Sequence, residues 1–209
     1  LWGLPRDMVL GLPLSAEMLG GILAIIVAGW SINKKGWRAI FYLGVLCLLT
    51  GNLLSGLSAS AIPYIISRSI AGLGLGFIMM AMRTLVVSLP ESNAAIAEFS
   101  AGAIAGLNCG AVIGGMLADR IGYAAVFYLA AVMAISLLIY VRRLMGGYEI
   151  KARTTSDIST FAKFSNLITD KKAILFLACI LIPYFICGAF LDYFFPLFSS
   201  SNGLSQSDI

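Results

Sequence analysis

Histidine is absent from this 209-residue chain. That removes the commonest metal ligand and the commonest general base. Charge is scarce too: Asp, Glu, Lys and Arg make up 11% of the residues, where a soluble domain carries about 25%. So little charge cannot clothe a soluble surface. With 60% hydrophobic residues and a mean hydropathy of +0.95, the composition specifies an integral membrane protein. The formal net charge of +4 is then a matter of topology and not a nucleic-acid footprint. Cysteine is sparse: Cys47, Cys109, Cys179 and Cys187 each sit in an apolar run without CxxC spacing. They read as buried thiols, not as a zinc or redox site. No nucleophile–base pair or metal-ligand cluster appears, so neither an enzyme nor a cofactor is expected.

What the chain does have is long apolar runs. Spans are expected at about 13–30, 39–57, 64–89, 95–117, 124–141 and 173–198, each near the ~20 residues that a bilayer-crossing helix needs. Pro90-Glu91-Ser92-Asn93 and Asp119-Arg120-Ile121-Gly122 read as turns between them. The basic residues are one-sided. Lys34, Lys35 and Arg38, then Arg83, then a group from Arg142 to Lys172, fall on one side, while Arg6 and Arg120 fall on the other. The loops 31–38, 90–94 and 142–172 are therefore expected in the cytoplasm of a cell membrane. Within the last loop, Ile158, Phe161, Leu167 and Ile168 recur at roughly helical spacing. Residues 156–170 read either as an amphipathic surface helix or as a linker. The chain opens on Leu1 without a signal peptide and stops in a polar segment; it reads as an internal piece of a longer protein.

Three stretches carry more information than hydropathy. The first is Gly29-Trp30-Ser31-Ile32-Asn33-Lys34-Lys35-Gly36-Trp37-Arg38, a short basic turn whose two glycines let the chain leave one helix and enter the next. In the second, Arg68 lies inside an apolar run and is followed by Gly72, Gly74 and Gly76. A cation there costs about 2.5–3.5 kcal/mol on insertion scales, so it either faces a partner or cavity, or snorkels to the interface. Gly72 and Gly76 offer a close-packing face. The run is no dinucleotide loop, since Phe77 stands where the third glycine belongs and no strand precedes it. The third stretch spaces Gly102, Gly106, Gly110 and Gly114 four apart, followed by Gly115, which lines one helix face for a neighbouring helix. Asn108 beside that face is a polar group able to line a cavity. Glu17 and Asp192 are carboxylates in or near apolar runs. Low dielectric favours the protonated carboxyl, the form that carries a proton, while an interfacial position would leave both simply solvated.

Together these stretches resemble the major facilitator superfamily. Gly29, Lys34, Gly36 and Arg38 match its loop between the second and third helices, with Asn33 where the family usually has Asp. Arg68 and its glycines resemble the fourth-helix motif, and Gly106, Gly110, Gly114 and Gly115 the fifth-helix motif of exporters, with Ala111 in place of proline. The resemblance covers the family's second to seventh helices. It implies an all-α membrane bundle with about twelve helices in the intact protein. Residues 1–143 would belong to the N-terminal half, 144–172 to the inter-half loop and 173–209 to the start of the second half. It also implies a secondary transporter of a small solute working by alternating access. Protons and the lipid bilayer would be its other partners, nucleic acid would not, and the protein would be monomeric. Arg68 would bind charge or govern coupling, Glu17 or Asp192 would carry the proton, and the 29–38 loop would control the inward gate. Asn33 carries no charge, which weakens a charged cytoplasmic latch. Together with Ala111 it keeps open an alternative, a transport-dead sensor module attached to a signalling domain.

Overall fold

The computed structural model describes residues 6–145, 170–176, 178–179, 182–190, 194 and 198, without the side chains at 6–10, 33, 145, 173, 184, 185 and 189. The expected surface helix over 156–170 lies almost wholly outside the described residues, as does Asp192. The chain divides into two units, Leu1–Ala152 and Arg153–Ile209.

In the first unit, α1 (Arg6–Leu57) is two arms joined at Gly36 (φ 77°, ψ 162°). It is followed by α2 (Ala61–Val87), α3 (Ser92–Ile121) and α4 (Tyr123–Met145). Five segments are long and apolar enough to cross a membrane: Gly11–Ile32, Lys34–Leu57, Ala61–Val87, Ser92–Ile121 and Tyr123–Leu144. The second unit contributes α5 (Lys171–Phe176) and α6 (Ile182–Ala189). α6 lies within the expected sixth span, 173–198, and α5 begins two residues before it; the remaining residues of that span are in part outside the described ones. Asp170 starts α5, its carboxylate accepting the Lys172 N–H at 2.9 Å, which satisfies a donor that a helix start leaves orphaned. No strand occurs among the described residues.

At most of their ends the helices run further than the apolar runs that announce them; the exception is the end of α2, at Val87 and not 89. Residues 31–38 are not an open loop: helix continues on both sides of Gly36, and Gly29 is helical. Gly36 alone makes the turn, in a region of φ/ψ that is essentially reserved for glycine. Likewise α3 runs through Asp119 and Arg120, and only Gly122 (φ 81°, ψ 158°) turns. The reason is that hydropathy tracks the bilayer, whereas a helix continues into the interface as long as its end is favourable. Arg120 sits in the last turn of α3, and Arg142 and Arg143 in that of α4, where cations oppose the negative end of the helix dipole. α2 starts at Ala61, before Pro63, because a proline in the first turn gives up an N–H with no intrahelical partner.

The core of the first unit sits where both arms of α1 meet α2 and α4. It contains Ala24, Ala28, Ile40, Phe41, Val45, Phe77, Ile78, Ala81, Leu85, Ala134 and Val141. Trp37, a member of the basic stretch, belongs to this core at 4% exposure. Its ring packs edge-on against Phe41, centroids 6.4 Å apart. Large apolar side chains such as Leu19, Ile22, Leu107, Val132 and Met133 are exposed, the surface expected of helices whose solvent is hydrocarbon. The same physics corrects the reading of the thiols. Cys47 is only half-buried, and Cys109, Cys179 and Cys187 are exposed, because an apolar position in a membrane helix need not face protein.

Candidate functional site: an ion pair between helices

Glycine builds this site. A Cβ added at Gly72 of α2 would collide with the backbone carbonyl of Glu17 in the first arm of α1, and one at Gly20 would lie 2.5 Å from the Ser69 carbonyl oxygen. Without these Cβ atoms the first arm lies directly on α2. Arg68 is one helical turn before Gly72, on the same face. The close approach at Gly72 therefore delivers the Glu17 carboxylate to the Arg68 guanidinium.

Arg68 Nε donates to Glu17 Oε2 at 3.2 Å, and Nη2 donates to the same oxygen. Arg68 Nη1 donates to Asn52 Oδ1 at 3.4 Å from the second arm of α1. The Phe127 ring of α4 covers the guanidinium, its centroid 5.4 Å from Cζ, and Tyr64 packs edge-on against that ring at 5.9 Å. The paired side chains keep 16% and 19% of their surface, so the pair is largely enclosed by the helices around it. Arg68 is seven residues into α2, about 10 Å along its axis at the helical rise. The pair thus lies inside the bundle, toward the end opposite the Gly36 turn.

Pairing offsets the cost of placing a charge in the membrane without making the site a net stabiliser. Desolvation of both ions roughly cancels their attraction, which makes such a pair poor value as structure. Ionisable residues inside membrane bundles are rare and are generally kept for handling charge, not for stability.

The other site residues are placed as follows. Gly76 meets the backbone of Gly21 in the first arm, and a Cβ at Gly74 would contact Leu48 in the second. Nothing lies within 4 Å of a Cβ built at Gly102, Gly106, Gly110 or Gly114. That face of α3 has no partner among the described residues. Gly115 is half-buried and Asn108 exposed, and α3 gives no group to the Arg68 cluster. In the basic stretch, Lys34 and Lys35 are exposed, and the Arg38 guanidinium lies 5.7 Å from the centroid of the Trp37 ring. No group of metal-ligating side chains occurs among the described residues.

Asn52 and Phe127 are the members that sequence reasoning missed. The signal for Asn52 was available: a lone amide in an apolar run needs a partner, and Asn52 is 6% exposed.

Five apolar helices with a charged pair held between them define a multi-pass, all-α membrane protein. The model of the Major Facilitator Superfamily matches residues 6–209, and the chain belongs to that family. It is similar to the multidrug resistance protein MdtG of Enterobacter lignolyticus, 30% identical over 127 residues, which is 60% of this chain and 30% of that protein. MdtG of Salmonella choleraesuis is 29% identical over 60% of this chain and 31% of its own length, and MdtG of Serratia proteamaculans 28% over the same shares. The match spans about a third of the length of these relatives. No solved structure matches the chain.

Proposed function

We propose that the intact protein is a secondary transporter that moves a small solute by alternating access, with proton uptake as its driving step. The carrying observation is the Glu17–Arg68 pair, a largely enclosed carboxylate and guanidinium between packed membrane helices. A proton delivered to Glu17 would break its ion pair with Arg68 and change the charge the helices must accommodate. Of the two candidate carboxylates, we assign the proton to Glu17. Arg68 sets its charge balance. Gly36, with Lys34, Lys35 and Arg38 around it, would act as the inward hinge. The relatives are named for multidrug resistance, so drugs are the first substrate class to screen.

The experiment is drug-driven proton movement in proteoliposomes holding the intact protein. Arg68→Ala and Glu17→Gln are each expected to abolish coupled transport. Unchanged transport in Arg68→Ala would remove the pair from the mechanism. A second reading, the transport-dead sensor, draws on Asn33 and Ala111. Ligand binding without saturable transport by the parent protein would favour it.

A further inference from the structure

Arg68 is held from three directions. Glu17, on the first arm of α1, takes Nε and Nη2; Asn52, on the second arm, takes Nη1; Phe127, on α4, covers the face. The three partners respond differently to a proton. Protonating Glu17 removes its charge and most of its hold on the guanidinium. The other two are neutral and stay as they were. Arg68 itself remains charged, and a cation left without a partner in an apolar site is costly. Tyr64 is the other titratable group that interacts with both members of the pair, and a tyrosine carries no charge at neutral pH.

We propose that Asn52 and Phe127 are positioning residues that keep the Arg68 guanidinium at its station when Glu17 takes up a proton. Asn52 is built for this role. It is 6% exposed, and its amide oxygen accepts the Nη1 hydrogen bond whatever the state of Glu17. Phe127 adds a charge–quadrupole attraction that is equally indifferent to that proton. The consequence for transport rests on reading Glu17 and Arg68 as the coupling pair. The positioning itself does not need a substrate to be tested.

The test is a mutant cycle on the purified intact protein, read as melting temperature. Glu17→Gln stands for the protonated carboxyl. In the parent, Asn52→Ala is expected to cost little, because Glu17 still holds Arg68. In the Glu17→Gln background the same change is expected to cost roughly 3 °C beyond the sum of the single losses. Placing Arg68→Gln in every member of the cycle is expected to erase that excess. A purely structural Asn52 gives additive losses, and additivity overturns the proposal, as does an excess that survives Arg68→Gln. If the double variant cannot be purified, Phe127→Leu replaces Asn52→Ala in the same cycle, with Phe127→Tyr, which keeps the ring, expected to behave as the parent. In proteoliposomes, Asn52→Ala is also expected to move the pH midpoint of drug-driven proton movement. Transport that survives Arg68→Gln would sink the coupling reading, while the positioning measured by the cycle would stand or fall on its own.

Discussion

α2 and α3 are both glycine-rich helices of membrane-spanning length, yet half of the α2 span is buried and none of the α3 span is. The glycines of α2 lie against backbone: Gly72 on Glu17, Gly74 on Leu48, Gly76 on Gly21. Gly102, Gly106, Gly110 and Gly114 of α3 meet nothing within 4 Å among the described residues. Four-residue spacing supplies a smooth face in both, so spacing alone does not decide whether a face is used. The difference is on the opposing side. α2 meets arms that carry their own small residues, Gly20, Gly21, Ala24, Gly44 and Gly51, and two backbones can then approach each other.

Filling both faces puts this contrast under the greatest load. Gly72→Val forces a branched side chain into the Glu17 backbone. It is expected to cost about 3 kcal/mol or more, seen as loss of folded, monodisperse protein after detergent extraction. Gly106→Val meets nothing in this unit and is expected to leave the yield unchanged. An equal loss in both would mean that the α3 face is covered in the intact protein. Next in size is the hinge. Gly36→Ala places a side chain at φ 77°, ψ 162° and is expected to cost about 2 kcal/mol. Gly29→Ala, at a helical glycine of the same stretch, is expected to be neutral or slightly stabilising, since alanine is the better helix former. Melting temperatures of the two purified variants decide this, and a loss at Gly29 matching that at Gly36 would refute the single-residue turn.

The contrast between α2 and α3 also marks how far the sequence could be read. That Arg68 and Glu17 are unusual follows from the cost of charge in hydrocarbon, residue by residue. That they meet does not follow. They are 51 positions apart, and their meeting depends on Gly72 admitting the first arm at one register and no other. The turn near Gly36 is legible from Lys34, Lys35 and Arg38, but nothing local says that Gly29 stays helical. Trp37 reads as part of the basic cytoplasmic turn and is core, because the second arm begins directly after Gly36. The apolar runs stop short of the helix ends at Asp119 and Pro63 for one reason: they report bilayer thickness, and backbone hydrogen bonding extends past it.

A lesser effect is expected at a polar contact of α2 that α3 has no counterpart for among the described residues. Ser67, 1% exposed, faces Ser55 of the second arm, 5% exposed, with the two hydroxyl oxygens 2.8 Å apart. Each also lies 2.8 Å from a carbonyl of its own helix, Ser67 Oγ from Tyr64 and Ser55 Oγ from Gly51. Two hydroxyl protons therefore serve three contacts. Removing one hydroxyl leaves the other still able to donate to its own carbonyl, so no buried donor is orphaned. Ser67→Ala is accordingly expected to cost about 0.6 kcal/mol, the average for interhelical hydrogen bonds in membranes, roughly 2 °C in melting temperature. A loss several times larger would mean that the hydroxyl pair, and not the glycine contacts around it, fixes α2 against the second arm.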